Sequence, residues 1–579
     1  MTTKISVEVG VPVPMRDGTV LRANLWRPAG ADRTPTLLQR LPYDRSVSFG
    51  FAHIAGLEPL RAVEAGMSVM IQDTRGRFDS EGEFSPYVNE AADGADTINW
   101  IRSQPWSDGR VGTYGTSYNG ATQLLAATQA PEGLVAIAPH LTTDQYHDVW
   151  TYSGGALQLG FLVLWIIQSL APPEVLRMPP GPDRDRARAI LADLQADPGA
   201  AYERLPIDDA DIAFLAPYYR EWLRRPVPDA RWAQIDPTRS HGQMDVAGFH
   251  LAGWNDLFVD GTLRNYTGLR AGAASPWARD NQHLVVGPWS HGNPTDWQGE
   301  VWHGYGAAEA ALDPTAMHLE FFRAAFERRP ADLPRVQLFV QGADRWREED
   351  EWPPARTNHE ILHLRADGPS GVESIDGGLT WQPPASEEAF HRYHADPLDP
   401  VPTIGGATFL PGLLQGRDSG QKDQSSLLHR DDVLVYVSEP LDTDVEVTGT
   451  VVCELHVATT ATDADWVATL LDIHPGGPAQ GIVSGIQRAR YRNGTDPAAM
   501  VPGEPTSLRV TLGATSQLFK AGHSIGLLLA SSSFPRFDRN PQQLVDVPTA
   551  SAADLRPAQQ TVFHDASRPS RLHLPIIRS

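Results

Sequence analysis

The sequence predicts an α/β domain on a mainly parallel sheet, interrupted by a helical cap and followed by an all-β domain. Three observations carry this expectation. Up to about residue 350, short apolar runs ended by Gly, Pro or Asp alternate with helical stretches. Between about 145 and 240 that rhythm stops, and the chain becomes aromatic, proline-punctuated and helical in pattern. After about 350, strand signals recur at turn-separated intervals with few helix signals. Strands alternating with helices need a sheet covered on both faces, whereas strands alone read as a sandwich or jelly roll. The expected boundaries are 1–144 with 241–350 for the α/β domain, 145–240 for the cap and 351–579 for the β domain.

The elements follow in order. Residues 5–45 alternate apolar and polar around Arg16-Asp17-Gly18, a hairpin signal. "TLLQRLPYD" gives another strand, ending at Pro42. Further strands are expected at 67–73, 134–140, 245–254, 283–289 and 335–342, with helices at 90–103 and 121–130. The most apolar stretch, Ala156–Leu170, carries Gln158 and Gln168 and falls short of the ~20 residues that cross a bilayer. It reads as a buried or pocket-lining helix. In the β domain, "HEILHLRAD", "DVLVYVSEPL", "VEVTGTVVCELHVATT", "DWVATLLDIHP", "SLRVTLGA" and "HSIGLLLASSSF" read as strands, and 413–426 as a long loop. The acid-rich "ADWVATLLD" and "DLRPAQ" suggest solvated strand edges or loops.

At 579 residues the chain suits roughly two to four domains. Its net charge of −23 repels phosphate backbones and anionic membranes. Cys453 is the single cysteine, which rules out an internal disulfide and a cysteine-based zinc site. The first residues lack the apolar core of a secretory signal, so a cytoplasmic location is expected. No phosphate-binding or dinucleotide glycine fingerprint stands in a strand–helix context, and no H-E-x-x-H occurs. The 19 histidines show no paired spacing that demands a metal. No cofactor and no metal is expected.

"VGTYGTSYNGATQ" raises the central question. An α/β-hydrolase presents its nucleophilic serine on a sharp strand-to-helix turn flanked by small residues. Here a short strand leads through Gly115, Ser117 and Gly120 into a helix beginning with alanine. Asn119 occupies the second glycine position of G-x-S-x-G, and the glycine comes one residue later. A G-x-S alone more often marks a surface turn, but chemistry at Ser117 needs a histidine base and an orienting carboxylate in the order Ser, Asp, His. Asp256 follows the run at 245–254 and His291 the run at 283–289, at strand ends where such a sheet binds its ligands. Developing oxyanion charge also needs donors, each worth ~2.7–4 kcal/mol. The N–H of Tyr118 is one. Tyr43, just after an early strand, either offers its hydroxyl or packs beneath the loop, and position alone leans to packing.

These residues resemble the cocaine esterase-like hydrolases, the CocE/NonD group related to X-Pro dipeptidyl-peptidases. The matching segments are "LPYDR", "IQDTRGRFDSEGEF", "QPWSDGRVGTYGTSYNG", "AGWNDLF" and "GPWSHG", with "SEPLDTDVEVTG", "TDADWVATLLDIHPGG" and "KAGHSIGLLLASSSFPRFDRN" in the last domain. The family elbow looks like G-x-S-Y-x-G, which accounts for the shifted glycine. The resemblance implies Ser117 as nucleophile, His291 as general base and acid, and Asp256 as orienting carboxylate. It implies the Tyr43 hydroxyl and the Tyr118 N–H as the oxyanion hole, and an acyl pocket drawn from Trp150, Trp165, Phe258 and Phe409. It also implies an α/β-hydrolase domain, an inserted helical cap and a C-terminal jelly roll. The charges of "DTRGRFDSEGEF" are expected to brace the loop beside the site.

The function expected is hydrolysis of carboxylic esters through a covalent acyl-enzyme. The alternatives are an amidase, acylase or X-Pro dipeptidyl-peptidase using the same three residues, and a catalytically dead binding protein. The expected partner is a small-molecule ester, with neither nucleic acid nor membrane. The oligomeric state stays open, a homodimer being one outcome.

Overall fold

The computed structural model describes residues 4–47, 56–368, 376–409 and 419–578. The first part is a ten-stranded sheet. Its strands are β1 (Ile5–Pro14), β2 (Val20–Pro28), β3 (Thr34–Leu41), β4 (Ser68–Asp73), β5 (Ser107–Thr116), β6 (Leu134–His140), β7 (Ala247–Asn255), β8 (Gln282–Ser290), β9 (Val336–Val340) and β10 (Arg345–Glu349). The spatial order is β1-β2-β4-β3-β5-β6-β7-β8-β9-β10. β1, β2 and β10 run antiparallel to their neighbours, and the pairings from β4 through β3, β5, β6, β7 and β8 to β9 are parallel. β4, β6, β7 and β8 are buried along their whole length, as strands covered on both faces must be. Helices α1 (Glu90–Ser103) and α2 (Tyr118–Ala127) pack on one another and on β5.

Sequence reading did not anticipate the edge strand β10 or the helix Pro314–Phe326. That helix begins on Asp313, whose carboxylate accepts from the Ala316 N–H at 3.1 Å.

Between β6 and β7 the chain forms a short hairpin (Tyr152–Ser153 with Ala156–Leu157) and a set of helices. The apolar stretch begins as an α-helix, Leu159–Trp165, becomes a π-turn over Ile166–Leu170, and resumes as Ala171–Arg177. Of the described residues, only Leu159–Arg177 forms a helix long and apolar enough to cross a membrane, and it is 72% buried inside the protein. The interruption has a local cause: an α-helix satisfies the Ser169 carbonyl from the N–H of residue 173, and Pro173 has none. A buried arginine supplies the missing donor, as described below.

The jelly-roll domain is one hydrogen-bonded system of eleven strands among the described residues. Its long strand Val445–Thr459 pairs with Thr506–Phe519, Ala558–Phe563 and Arg571–Ile577. Asp465–Ile473 corrects the expectation of a solvated edge at "ADWVATLLD". It lies between Ala479–Arg488 and Ser524–Ala530, with Asp465 and Asp472 both buried. Composition misled because these carboxylates find partners across the sheet, such as Arg488, directly opposite Asp465 on the paired strand, at 2.8 Å. "DLRPAQ" lies at the 3-10 turn Ala552–Asp554 and the start of Ala558–Phe563. Of the loop expected at 413–426, residues 413–418 lie outside the described residues.

Candidate active site

Four residues singled out in the sequence stand just beyond four strands: Tyr43 after β3, Ser117 after β5, Asp256 after β7 and His291 after β8. Parallel strands carry their carboxyl ends to one edge of the sheet, so residues far apart in sequence share one rim.

Ser117 occupies a strained turn. Its φ of 62° and ψ of −123° are costly for a residue with a Cβ, and β5 and α2 hold it there from both sides. Its N–H donates to the His140 carbonyl at 2.9 Å, while its own carbonyl accepts from Gly120 at 2.9 Å and Ala121 at 3.1 Å. Two glycines make room. A Cβ on Gly115, at φ +132°, meets the Asn119 side chain at 2.7 Å, and one on Gly120 meets Thr142 at 2.7 Å.

The His291 ring spans the gap to the acid. Its Nδ1 lies 3.0 Å from Asp256 Oδ1 and its Nε2 3.1 Å from Ser117 Oγ. With Asp256 ionised, Nδ1 carries the proton and Nε2 is left to accept one. Asp256 is fully buried and His291 nearly so. Tight turns hold both: the Asp256 N–H donates to Gly253 at 3.0 Å, and the Asn293 N–H donates to Ser290 at 3.1 Å.

The two tyrosines differ in what holds them. Tyr118 is buried, its hydroxyl donating to Glu90 Oε1 at 3.0 Å and accepting from the Tyr87 N–H at 2.8 Å. Glu90 in turn pairs with Arg40 at 3.0 Å. Burial pushes the Glu90 carboxyl up, against the pull of that guanidinium. Tyr118 therefore starts α2 with its ring fixed and its N–H at the helix end beside Ser117. The Tyr43 hydroxyl accepts from the Trp165 indole Nε1–H at 3.0 Å. Desolvation pushes its phenol above the ordinary range, so it keeps its proton at neutral pH. With Trp165 on the oxygen, the Tyr43 O–H is free to donate elsewhere. Its ring also packs against the cap cluster, so packing and hydroxyl presentation coexist.

Trp150, Trp165, Phe258 and Phe409 form one aromatic wall. Trp150 stacks on Phe258 at 4.3 Å between centroids and meets Trp165 edge-on at 5.4 Å. Phe258 and Phe409 approach the His291 ring at 5.2 and 5.4 Å. Sequence reading missed Phe161, which touches all four: Trp150 and Trp165 at 5.7 Å, Phe258 at 5.6 Å and Phe409 at 5.4 Å. The available signal was its place one helical turn before Trp165.

Arg77, from "DTRGRFDSEGEF", is fully buried. It donates to the carbonyls of Pro42 and Leu170 at 2.9 Å each and of Ser169 at 3.3 Å, and pairs with Glu174 at 2.8 Å. One guanidinium thus links the residue before Tyr43 to the cap's π-turn.

Comparison with known proteins agrees with this architecture. Residues 17–293 match the family described as X-Pro dipeptidyl-peptidase (S15 family), and residues 329–573 match the X-Pro dipeptidyl-peptidase C-terminal non-catalytic domain. The cocaine esterase of Rhodococcus sp. (strain MB1 Bresler) is 35% identical over 580 residues, covering 99% of each chain. Among solved structures, an aminopeptidase from a marine sediment Thaumarchaeota archaeon is 26% identical with a TM-score of 0.81, over 100% of this chain and 97% of that one. An alpha-amino acid ester hydrolase is 25% identical, also with a TM-score of 0.81, over 99% and 97%. With one relative similar over its whole length and both of its domains matched, the chain belongs to the cocaine esterase-like (CocE/NonD) serine hydrolases related to the X-Pro dipeptidyl-peptidases.

Proposed function

We propose that this enzyme hydrolyses carboxylic esters, with Ser117 as nucleophile, His291 as general base and acid, and Asp256 as the carboxylate that holds the imidazole. Ser117 Oγ attacks the acyl carbonyl as His291 Nε2 takes its proton. The oxyanion that forms accepts from the Tyr118 N–H and the Tyr43 hydroxyl. Collapse expels the alcohol, which receives the proton from His291, and water repeats the sequence to release the acid. Asp256 holds the imidazole through Nδ1 and stabilises the imidazolium as it forms. The acyl group lies among Trp150, Phe161, Trp165, Phe258 and Phe409, a wall suited to an aryl or bulky apolar acyl group.

What supports the reading most is the unbroken relay from Asp256 to His291 to Ser117, at 3.0 and 3.1 Å, with the serine on a strained turn. Ser117→Ala should retain the fold and lose several orders of magnitude in turnover on a chromogenic aryl ester. Wild type should also be labelled stoichiometrically by a fluorophosphonate. Wild-type rates in Ser117→Ala would remove the nucleophile assignment, and an unlabelled wild type would favour a binding protein. The amidase or dipeptidyl-peptidase alternative shares this machinery and differs in needing a carboxylate to face a substrate ammonium. Rates on a matched ester and anilide separate the two, and a faster anilide reaction would favour the alternative.

A further inference from the structure

Outside the hydrolytic site, the jelly roll gathers two histidines and an aspartate that lie apart in sequence. Asp472 is the penultimate residue of the buried strand Asp465–Ile473, His474 opens the turn after it, and His523 opens the neighbouring strand's approach, 51 residues from Asp472. Strand pairing brings them together, since Ile473 stands opposite Ser524 in the antiparallel ladder. His523 Nδ1 lies 2.8 Å from Asp472 Oδ1, His474 Nε2 lies 3.8 Å from Asp472 Oδ2, and the two rings face each other at 4.3 Å. One ligand atom from each residue falls within 4.8 Å of the others.

We propose that Asp472, His474 and His523 form a binding site for a borderline divalent transition-metal ion of the zinc type. Two imidazole nitrogens with one carboxylate oxygen suit Zn²⁺ or Co²⁺ rather than the all-oxygen shells of Ca²⁺ and Mg²⁺. A tetrahedral ion at the usual bond lengths holds its ligand atoms about 3.3 Å apart. One ligand atom from each residue, all within 4.8 Å of one another, stands close enough to that spacing for an ion to draw them in. Asp472 is almost fully buried, and its ion-pair partners among the described residues are these two histidines. No Lys or Arg among the described residues forms an ion pair with Asp472, the Lys520 ammonium acting on His474 instead. A buried carboxylate without such a partner gains from a bound cation. The Gln517 amide donates to Asp472 Oδ2 at 3.1 Å and fixes the carboxylate's orientation, the kind of support that outer partners give to metal ligands. His474 is 38% exposed, which gives an ion access from solvent and leaves a fourth position for water. The sequence expectation of no metal rested on histidine spacing along the chain, and these two histidines are neighbours only across strands. The ion ties the turn after Asp465–Ile473 to the turn before Ser524–Ala530, so its effect is on the stability of the β domain.

The test uses the tag-free full-length chain, stripped with a chelator and titrated with ZnCl₂ by calorimetry and with CoCl₂ by visible absorption. The expected result is one equivalent of either ion, intense visible bands of four-coordinate Co²⁺, displacement of Co²⁺ by Zn²⁺, and a higher melting temperature with zinc. His474→Ala and His523→Ala should each lose the cobalt bands and weaken zinc binding by more than about tenfold, the loss that even an outer partner can cause. Both should keep the wild-type circular dichroism and ester turnover. Absence of zinc uptake by wild type, a six-coordinate cobalt spectrum, or wild-type zinc affinity in His474→Ala would each overturn the proposal.

Discussion

At the scale of single residues, the Tyr43 hydroxyl and the Trp165 indole bonded to it are expected to act as one coupled unit. Tyr43→Phe removes the proposed oxyanion donor and should lower kcat by about 10²–10³, with KM nearly unchanged. Trp165→Phe keeps an apolar ring but deletes the indole N–H bonded to the Tyr43 oxygen at 3.0 Å. Losing one neutral hydrogen bond, worth about 0.5–1.5 kcal/mol, should lower kcat several-fold. In the Tyr43→Phe background the same change should lose most of its effect on kcat, and steady-state kinetics of the four proteins read that coupling. Glu309 offers a pH test away from the site. It is nearly fully buried in a 3-10 turn, and burial pushes its carboxyl from 4.5 up to about 8. The folded state therefore holds a proton that the unfolded chain releases, so stability falls as pH rises from about 4.5 to 8 and levels above that. Glu309→Gln removes this dependence. Its melting temperature should rise relative to wild type across that window, following up to ~1.4 kcal/mol per pH unit. Parallel melting curves at pH 5 and 8 would refute the assignment.

At the scale of elements, the cap stays in place because Arg77 answers the open Ser169 carbonyl that Pro173 creates. Arg77→Leu strips donors from three carbonyls and a charge from Glu174. Each buried acceptor left open costs about 1–3 kcal/mol, so a few kcal/mol should be lost in urea denaturation. Turnover should fall as well, because Pro42 precedes Tyr43 and the π-turn follows Trp165 directly. Arg77→Lys should recover little, since an ammonium cannot reach Pro42, Ser169 and Leu170 with one planar fork.

At the scale of the whole molecule, the jelly roll is part of the frame of the site. Phe409 reaches the His291 ring, and the Ser419 hydroxyl donates to that of Ser290 at 3.0 Å. Gln341, just after β9, exchanges backbone bonds with Ser516 at 3.0 Å and Leu518 at 2.8 Å. On the cap side, Arg488 pairs with Asp465 at 2.8 Å and Asp538 at 3.0 Å, all three buried. Asp538 then accepts from the Leu157 N–H at 2.7 Å, and the Arg488 N–H donates to Gly154 at 2.8 Å. Arg488→Met leaves two buried carboxylates facing each other and should cost about 3–5 kcal/mol in denaturant unfolding. Adding Asp465→Asn should recover part of that loss.

The strand-and-helix alternation, the elbow at Ser117, the strand-end positions of Asp256 and His291 and the strand-rich last domain were all legible in the residues. Each is a local pattern: periodicity, small residues at a turn, polar residues closing an apolar run. Phe161, the Arg77 brace, the indole N–H on Tyr43 and the burial of Asp465 were not legible. Each depends on a partner from another element, and a linear sequence does not record which partner that is. The Asp472, His474 and His523 cluster is the clearest example, because a separation of 51 residues hides a contact made by one strand pairing. Sequence by itself determined the kind of fold and the chemistry its strand ends carry, since secondary structure and turn chemistry are set by near neighbours. Tertiary structure decided which side chains satisfy, orient and enclose that chemistry, because hydrogen bonds, ring contacts and desolvation act through space.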